Sequence, residues 1–69
     1  MAHIIVNLDV VMAQRKVRSK DLAQAIGITE ANLSLLKRAK VKGVRFETLA
    51  AICEHLDCQP GDILQFSAE

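Results

Sequence analysis

Apolar positions along the chain fall into short periodic runs separated by polar or glycine-containing breaks, the pattern of a small helical domain. His3-Ile4-Ile5-Val6 comes first, a run rich in β-branched residues that reads as a strand or as an extended arm packing on the C-terminal end. Asn7 is a good cap and Asp9 supports the helix dipole, so Leu8, Val11 and Met12 form the stripe of a first helix over about 8–16. Val17 and Arg18 connect it to the next element, where Ser19 caps, Asp21 meets the positive end of the dipole, and Leu22, Ala23 and Ile26 share one face. Gly27 stops this helix, because the left-handed conformation costs glycine nothing sterically. Thr29 caps again, Glu30 complements the new dipole, and Leu33 and Leu36 point inward with Ile28.

Further on, Gly43 makes 37–45 a loop. Thr48 to Leu56 reads as a fourth helix on the spacing of Leu49, Ile52, Cys53 and Leu56. Asp57 to Gly61 breaks it, Pro60 suits the first turn of a short fifth helix through Ile63 and Leu64, and Gln65 to Glu69 forms an extended tail.

Two helices separated by so few residues must cross steeply, and a close crossing needs a small side chain where the backbones meet; Ala23 fits that place. The ordered set of Leu22, Ala23, Gly27, Ile28, Leu33 and Leu36 over 19–38 resembles the helix-turn-helix of the Cro/C1-type bacterial and phage regulators. The likeness runs over about residues 7–64, and the ending LAAICEHLDCQPGDIL is similar to small stand-alone members. The resemblance implies an all-α, lambda-repressor-like DNA-binding domain of four to five helices, with short extended N- and C-terminal segments. Residues 1–69 are then one such domain.

Charge distribution changes the picture more than its sum. The net charge is only +1, yet all nine Lys and Arg lie between Arg15 and Arg45, where Asp21 and Glu30 are the only acids. The other six acids lie outside that span, so one part of the molecule is basic and the rest acidic, as expected of a face that meets a polyanion. Half of the residues are hydrophobic but only Phe46 and Phe66 are aromatic, which favours a helical core of Leu, Ile, Val and Ala. Residues 1–15 lack a basic start and a long apolar run, and no stretch approaches a membrane span, so a cytoplasmic location is expected.

Enzymatic and metal chemistry find little support. Cys53, His55 and Cys58 form a loose cluster, with His3 the only other obvious ligand, whereas zinc needs four donors facing one point. Two half-buried reduced thiols are the simpler reading, and no metal or cofactor is expected. Ser34 and Ser67 lack a neighbouring His with an orienting carboxylate, Asp57 and Asp62 read as turn and cap residues, and no glycine-rich phosphate loop is present.

The second helix of such a pair enters the major groove while the first lies across the backbone. With Leu33 and Leu36 inward, helix 29–38 presents Thr29, Glu30, Ala31, Asn32, Ser34 and Leu35 as base-contacting candidates, and the resemblance points to Thr29, Glu30, Ala31 and Leu35. Glu30 accepts from cytosine N4, Asn32 pairs with adenine if it reaches, and Ala31 or Leu35 touches a thymine methyl. Phosphate contacts are expected from Arg15, Arg18, Lys20, Lys37, Arg38, Lys40, Lys42 and Arg45, five of them within nine residues. The Arg at the start of the fourth helix caps worse than Ser, Thr or Asp by about 1 kcal/mol, a hint of contact favoured over stability.

One small module binds weakly, so a two-fold homodimer on a palindrome is expected. Ile4, Ile5, Val6, Ile63, Leu64 and Phe66 are its candidate surface, unless the two ends simply pack on each other within one chain. The functional expectation is a sequence-specific double-stranded DNA-binding transcriptional regulator, a repressor acting by promoter occlusion. The alternative from another class is a protein-interaction module, an antitoxin-like or adaptor subunit on the same fold.

Overall fold

The computed structural model describes residues 1–69. Its elements are β1 (His3–Val6), α1 (Leu8–Gln14), α2 (Ser19–Ile26), α3 (Glu30–Lys37), α4 (Phe46–Leu56), α5 (Pro60–Ile63) and β2 (Leu64–Ser67).

The apolar stripes converge on one core. Leu8 of α1, Leu22 of α2, Leu33 of α3, Ile52 and Leu56 of α4, and Ile63 of α5 are essentially without exposure, so every helix contributes at least one fully buried side chain. Each is worth about 1.5–3 kcal/mol relative to exposure. Val11, Met12, Ala23 and Leu36 complete the core, with no polar group buried among them. α2 packs on both α3 and α4, and α5 bridges α1 and α4.

An all-α reading needs correction at the two ends. β1 and β2 pair antiparallel, with His3 opposite Ser67, Ile4 opposite Phe66, Ile5 opposite Gln65 and Val6 opposite Leu64. Leu64 is therefore a strand residue and not the end of the fifth helix. The pairing continues one step inward, where the Asn7 N–H donates to the Ile63 carbonyl at 2.6 Å. Asn7 accordingly precedes α1 without a side-chain cap bond.

Three helix boundaries also differ. α1 ends at Gln14, with Lys16 left-handed at φ 55°. Ser19 is the first residue of α2, while extended Arg18 holds the cap position; the freed Ser19 hydroxyl accepts from Lys37 Nζ at 2.9 Å. α4 begins at Phe46, two residues before the Thr48 expected: extended Arg45 holds the cap position without a side-chain cap bond, and its carbonyl accepts the first helical bond from the Leu49 N–H at 2.9 Å.

Candidate nucleic-acid interface

The α2–α3 turn is built as its residue types require. Gly27 sits at φ 78° and ψ 31°, and the N–H groups of Gly27 and Ile28 both donate to the Ala23 carbonyl, at 2.9 and 3.0 Å. Thr29 Oγ1 then accepts from the Asn32 N–H at 3.1 Å, capping α3. Ala23, only 2% exposed, is the small residue at the crossing.

At about 100° per residue, the buried Leu33 and Leu36 fix which side of α3 faces out. Ala31, Ser34, Leu35 and Arg38 form the outward ridge, exposed apart from half-buried Ser34. Glu30 lies at the start of that ridge. Asn32 is exposed but set to one flank, where it lines a groove of about 320 Å³ with Ile28, Val44, Arg45 and Thr48.

The eight cations do not form one equivalent set. Arg15 Nε donates to the Leu56 carbonyl at 2.8 Å and its terminal nitrogen to the Asp57 carbonyl at 3.2 Å, so this guanidinium satisfies the C-terminal end of α4. Lys37 is tied to Ser19. Arg18 pairs with Asp21 at 3.1 Å across one helical turn. Arg45 and Glu47 approach only to 3.8 Å, both largely exposed. Lys20, Arg38, Lys40 and Lys42 are exposed and make no ion pair.

Loop 38–45 begins where the reading of 37–45 as a loop places it, directly after Lys37 ends α3. The Ala39 N–H donates to Leu36 and the Lys40 N–H to Leu35, at 3.0 and 2.8 Å, with Ala39 left-handed at φ 56°. This 5→2 and 6→1 pairing closes α3, and Lys40 and Lys42 lie exposed in the loop beyond it.

Residues 7–69 match the profile of the Cro/C1-type HTH DNA-binding domain. The chain belongs to that family. An uncharacterized HTH-type transcriptional regulator of Bacillus subtilis, YozG, is 52% identical over 66 residues, which cover 96% of this chain and 79% of that protein. Among solved structures, the transcriptional regulator VanUg superposes with a TM-score of 0.75 at 28% identity, covering 99% of this chain and 89% of VanUg. A Bacteroides fragilis protein to which DNA binding is ascribed superposes with a TM-score of 0.81 over 91% of this chain and all of its own. At 21% identity that likeness is one of fold alone.

The Cro/C1-type domain also carries features that the residue pattern did not announce. Phe46 is 88% exposed directly beside Arg45, a position that a later helix start had hidden in the loop. No three His, Cys, Asp or Glu side chains converge as a metal site requires, and no helix is long and apolar enough to cross a membrane.

Proposed function

We propose that this domain binds double-stranded DNA sequence-specifically, with α3 in the major groove, and represses transcription as a two-fold dimer that occludes a promoter. The observation that carries this reading is the outward ridge of α3, uncovered by the chain's own core and ending in Arg38, which like Lys20, Lys40 and Lys42 is exposed and makes no ion pair. Glu30, Ala31, Ser34 and Leu35 supply base contacts: the carboxylate accepts from cytosine N4, and the two apolar side chains meet thymine methyls. Thr29 sits at the groove-facing end of α3, its hydroxyl oxygen already engaged with the Asn32 N–H. Lys20, Arg38, Lys40, Lys42 and Arg45 supply phosphate contacts that position without specifying. Asn32 serves the flank and not the base edges.

Selection of bound sites from a random duplex pool tests the proposal. Enrichment of a palindrome with half-sites about 34 Å apart is expected. A folded protein that enriches no sequence would end the sequence-specific reading.

A second reading keeps the fold but docks a protein, as an antitoxin-like or adaptor subunit. Its support is Leu35, 38% exposed and apolar in the middle of the ridge. Replacing Lys40 and Arg45 with Ala separates the two: duplex binding falls if the ridge meets DNA, whereas a protein partner held by Leu35 is retained.

A further inference from the structure

The turn that closes α4 repeats the turn that closes α2. After α2 the N–H groups of Gly27 and Ile28 both donate to the Ala23 carbonyl; after α4 those of Asp57 and Cys58 both donate to the Cys53 carbonyl. Such a turn packs the residue that follows its left-handed position against the last turn of the helix. Ala23 and Ile28 fill the two places after α2, and both belong to the core or pack on it. Two thiols fill them after α4.

With standard bond lengths, the 3.0 Å hydrogen bond from the Cys58 N–H to the Cys53 carbonyl holds the two Cα atoms within about 7 Å of each other, inside the limit beyond which a disulfide cannot close. The side chains face each other as well, near enough for Cys53 to act on the Cys58 thiol by charge and by a hydrogen bond. Both thiols are free and half-buried. Behind them lies the core, to which Ile63 belongs: at 1% exposure it has no part in a dimer surface despite its apolar character. Cys58 also lines a groove of about 390 Å³ with the polar side chains of Asn7, Gln14, Arg15, Asp62 and Gln65. A cysteine acting only as a small apolar filler accounts for Cys53 but not for a thiol that opens on a polar groove.

We propose that Cys53 and Cys58 form a reversible dithiol–disulfide pair, oxidised by hydrogen peroxide that reaches Cys58 through this groove. The Cys58 thiolate attacks one peroxide oxygen; the O–O bond breaks, the released hydroxide takes up a proton and leaves as water, and Cys58 becomes a sulfenic acid. The Cys53 thiol then attacks the sulfenic sulfur. An S–S bond forms, the S–O bond breaks, and the hydroxyl leaves with the thiol proton as a second water. Two thiols are thereby oxidised and one peroxide is reduced to two waters. Exchange with an external thiol returns the pair to its reduced form.

The surroundings set when this happens. Burial raises the Cys58 thiol above its ordinary range, Cys53 and Asp62 add to the rise, and Arg15 opposes it. The attacking thiolate is therefore scarce at neutral pH, which keeps the pair reduced until oxidant is abundant. Arg15 holds the carbonyls of Leu56 and Asp57, both within the segment 53–58 that the disulfide closes. Oxidation thus acts on the stretch of chain that ties α1 to α4.

Intact-mass analysis of the reduced full chain after exposure to hydrogen peroxide tests the proposal. Loss of two hydrogens without gain of oxygen is expected, with peptide mapping placing the bond between Cys53 and Cys58 of one chain and dithiothreitol reversing it. In Cys53→Ser the reaction should stop at a Cys58 sulfenic acid that dimedone traps. Wild type should give at most about a tenth as much trapped product, because its resolving thiol is already in place. The initial rate should rise nearly tenfold from about pH 7 to about pH 8, as the thiolate fraction does below its titration point. Sulfinic acid without an internal disulfide, disulfides only between chains, or equal dimedone trapping in wild type and variant would overturn it. Circular dichroism checks that the variant keeps the fold, and the wild-type mass decides by itself if it does not.

Discussion

Arg15 reaches from the end of α1 to the Leu56 carbonyl at the end of α4, 2.8 Å away. A guanidinium at a helix C-terminus meets both the orphan carbonyls and the negative end of the dipole. A residue placed by charge alone among DNA contacts thus holds two helices together.

Truncating it should show this. Arg15→Ala removes two hydrogen bonds from a charged donor at a part-buried site and should cost about 1–2 kcal/mol in urea unfolding. Arg15→Lys should recover only part, because a lysine cannot span the two carbonyls as the fork does. DNA affinity per folded molecule should be unchanged in both variants; a large loss of affinity without a loss of stability would return Arg15 to the interface.

Each of the four longer helices is followed by a left-handed residue, but only one of the four is glycine: Lys16, Gly27, Ala39 and Asp57 stand at φ 55°, 78°, 56° and 52°. A left-handed L-residue costs about 1–2 kcal/mol, while glycine adds about 0.4–1 kcal/mol of unfolded-state entropy. Ala39→Gly and Lys16→Gly should therefore each stabilise by about 0.5–1 kcal/mol. Gly27→Ala should destabilise by a similar amount through backbone strain alone, since an added Cβ there meets nothing within 4 Å. Thermal melts of the three variants decide it, and a neutral Gly27→Ala would show that the turn relaxes.

Burial pushes the Cys58 thiol up from its ordinary value, with neighbouring Cys53 and Asp62 adding to the rise and Arg15 opposing it. The folded state thereby favours the neutral thiol. That contribution is fully present below the unfolded thiol value of about 8.5 and is lost as pH rises through the higher folded value. The stability difference between wild type and Cys58→Ala should be constant up to about pH 8 and should then fall for wild type above about pH 9. Cys58 should also alkylate more slowly at pH 8 than a free thiol. Parallel stability curves across that range would remove the effect.

Much of the helix pair was legible in the residues because its determinants are local. Thr29 lies next to the N–H groups it caps, Gly27 stands where the backbone needs it, and Leu33 and Leu36 fix the inward face within one turn. What was hidden depends on partners far along the chain. Ile4 and Phe66 pair from opposite ends, so no turn signal marks the sheet, and a β-branched run alone leaves strand and arm equally open. The fate of Arg15 and Lys37 is likewise decided by residues 41 and 18 positions away. The ends of α1 and α3 were read to within two residues, but the left-handed backbone of Lys16 and Ala39 was hidden because neither is the glycine that ordinarily announces it.

Among the base-contact candidates on α3 one is acidic. Glu30 stands in the first turn, exposed and free of any ion pair. Glu30→Gln keeps the shape but removes the charge, so discrimination for cytosine at one position should weaken by about 1–3 kcal/mol. Preferences elsewhere in the site should persist. Binding across a set of single-base variants of the selected duplex measures this, and a uniform change at every position would instead mean that Glu30 acts only through bulk charge.

The engaged cations set the expected salt dependence. Of eight candidates, Arg15, Arg18 and Lys37 are held by Leu56, Asp21 and Ser19, which leaves Lys20, Arg38, Lys40, Lys42 and Arg45 to meet phosphates. Five contacts give a log–log slope of affinity against salt of about −4.5 for one half-site, since each neutralised phosphate contributes about −0.9. Lys40→Ala should flatten that slope by about 0.9 and weaken all sequences alike, whereas Arg15→Ala should leave it in place. A wild-type slope near −7 would mean that the three tethered side chains release their partners on binding. A slope near zero would mean that the positively charged loop does not touch the backbone at all.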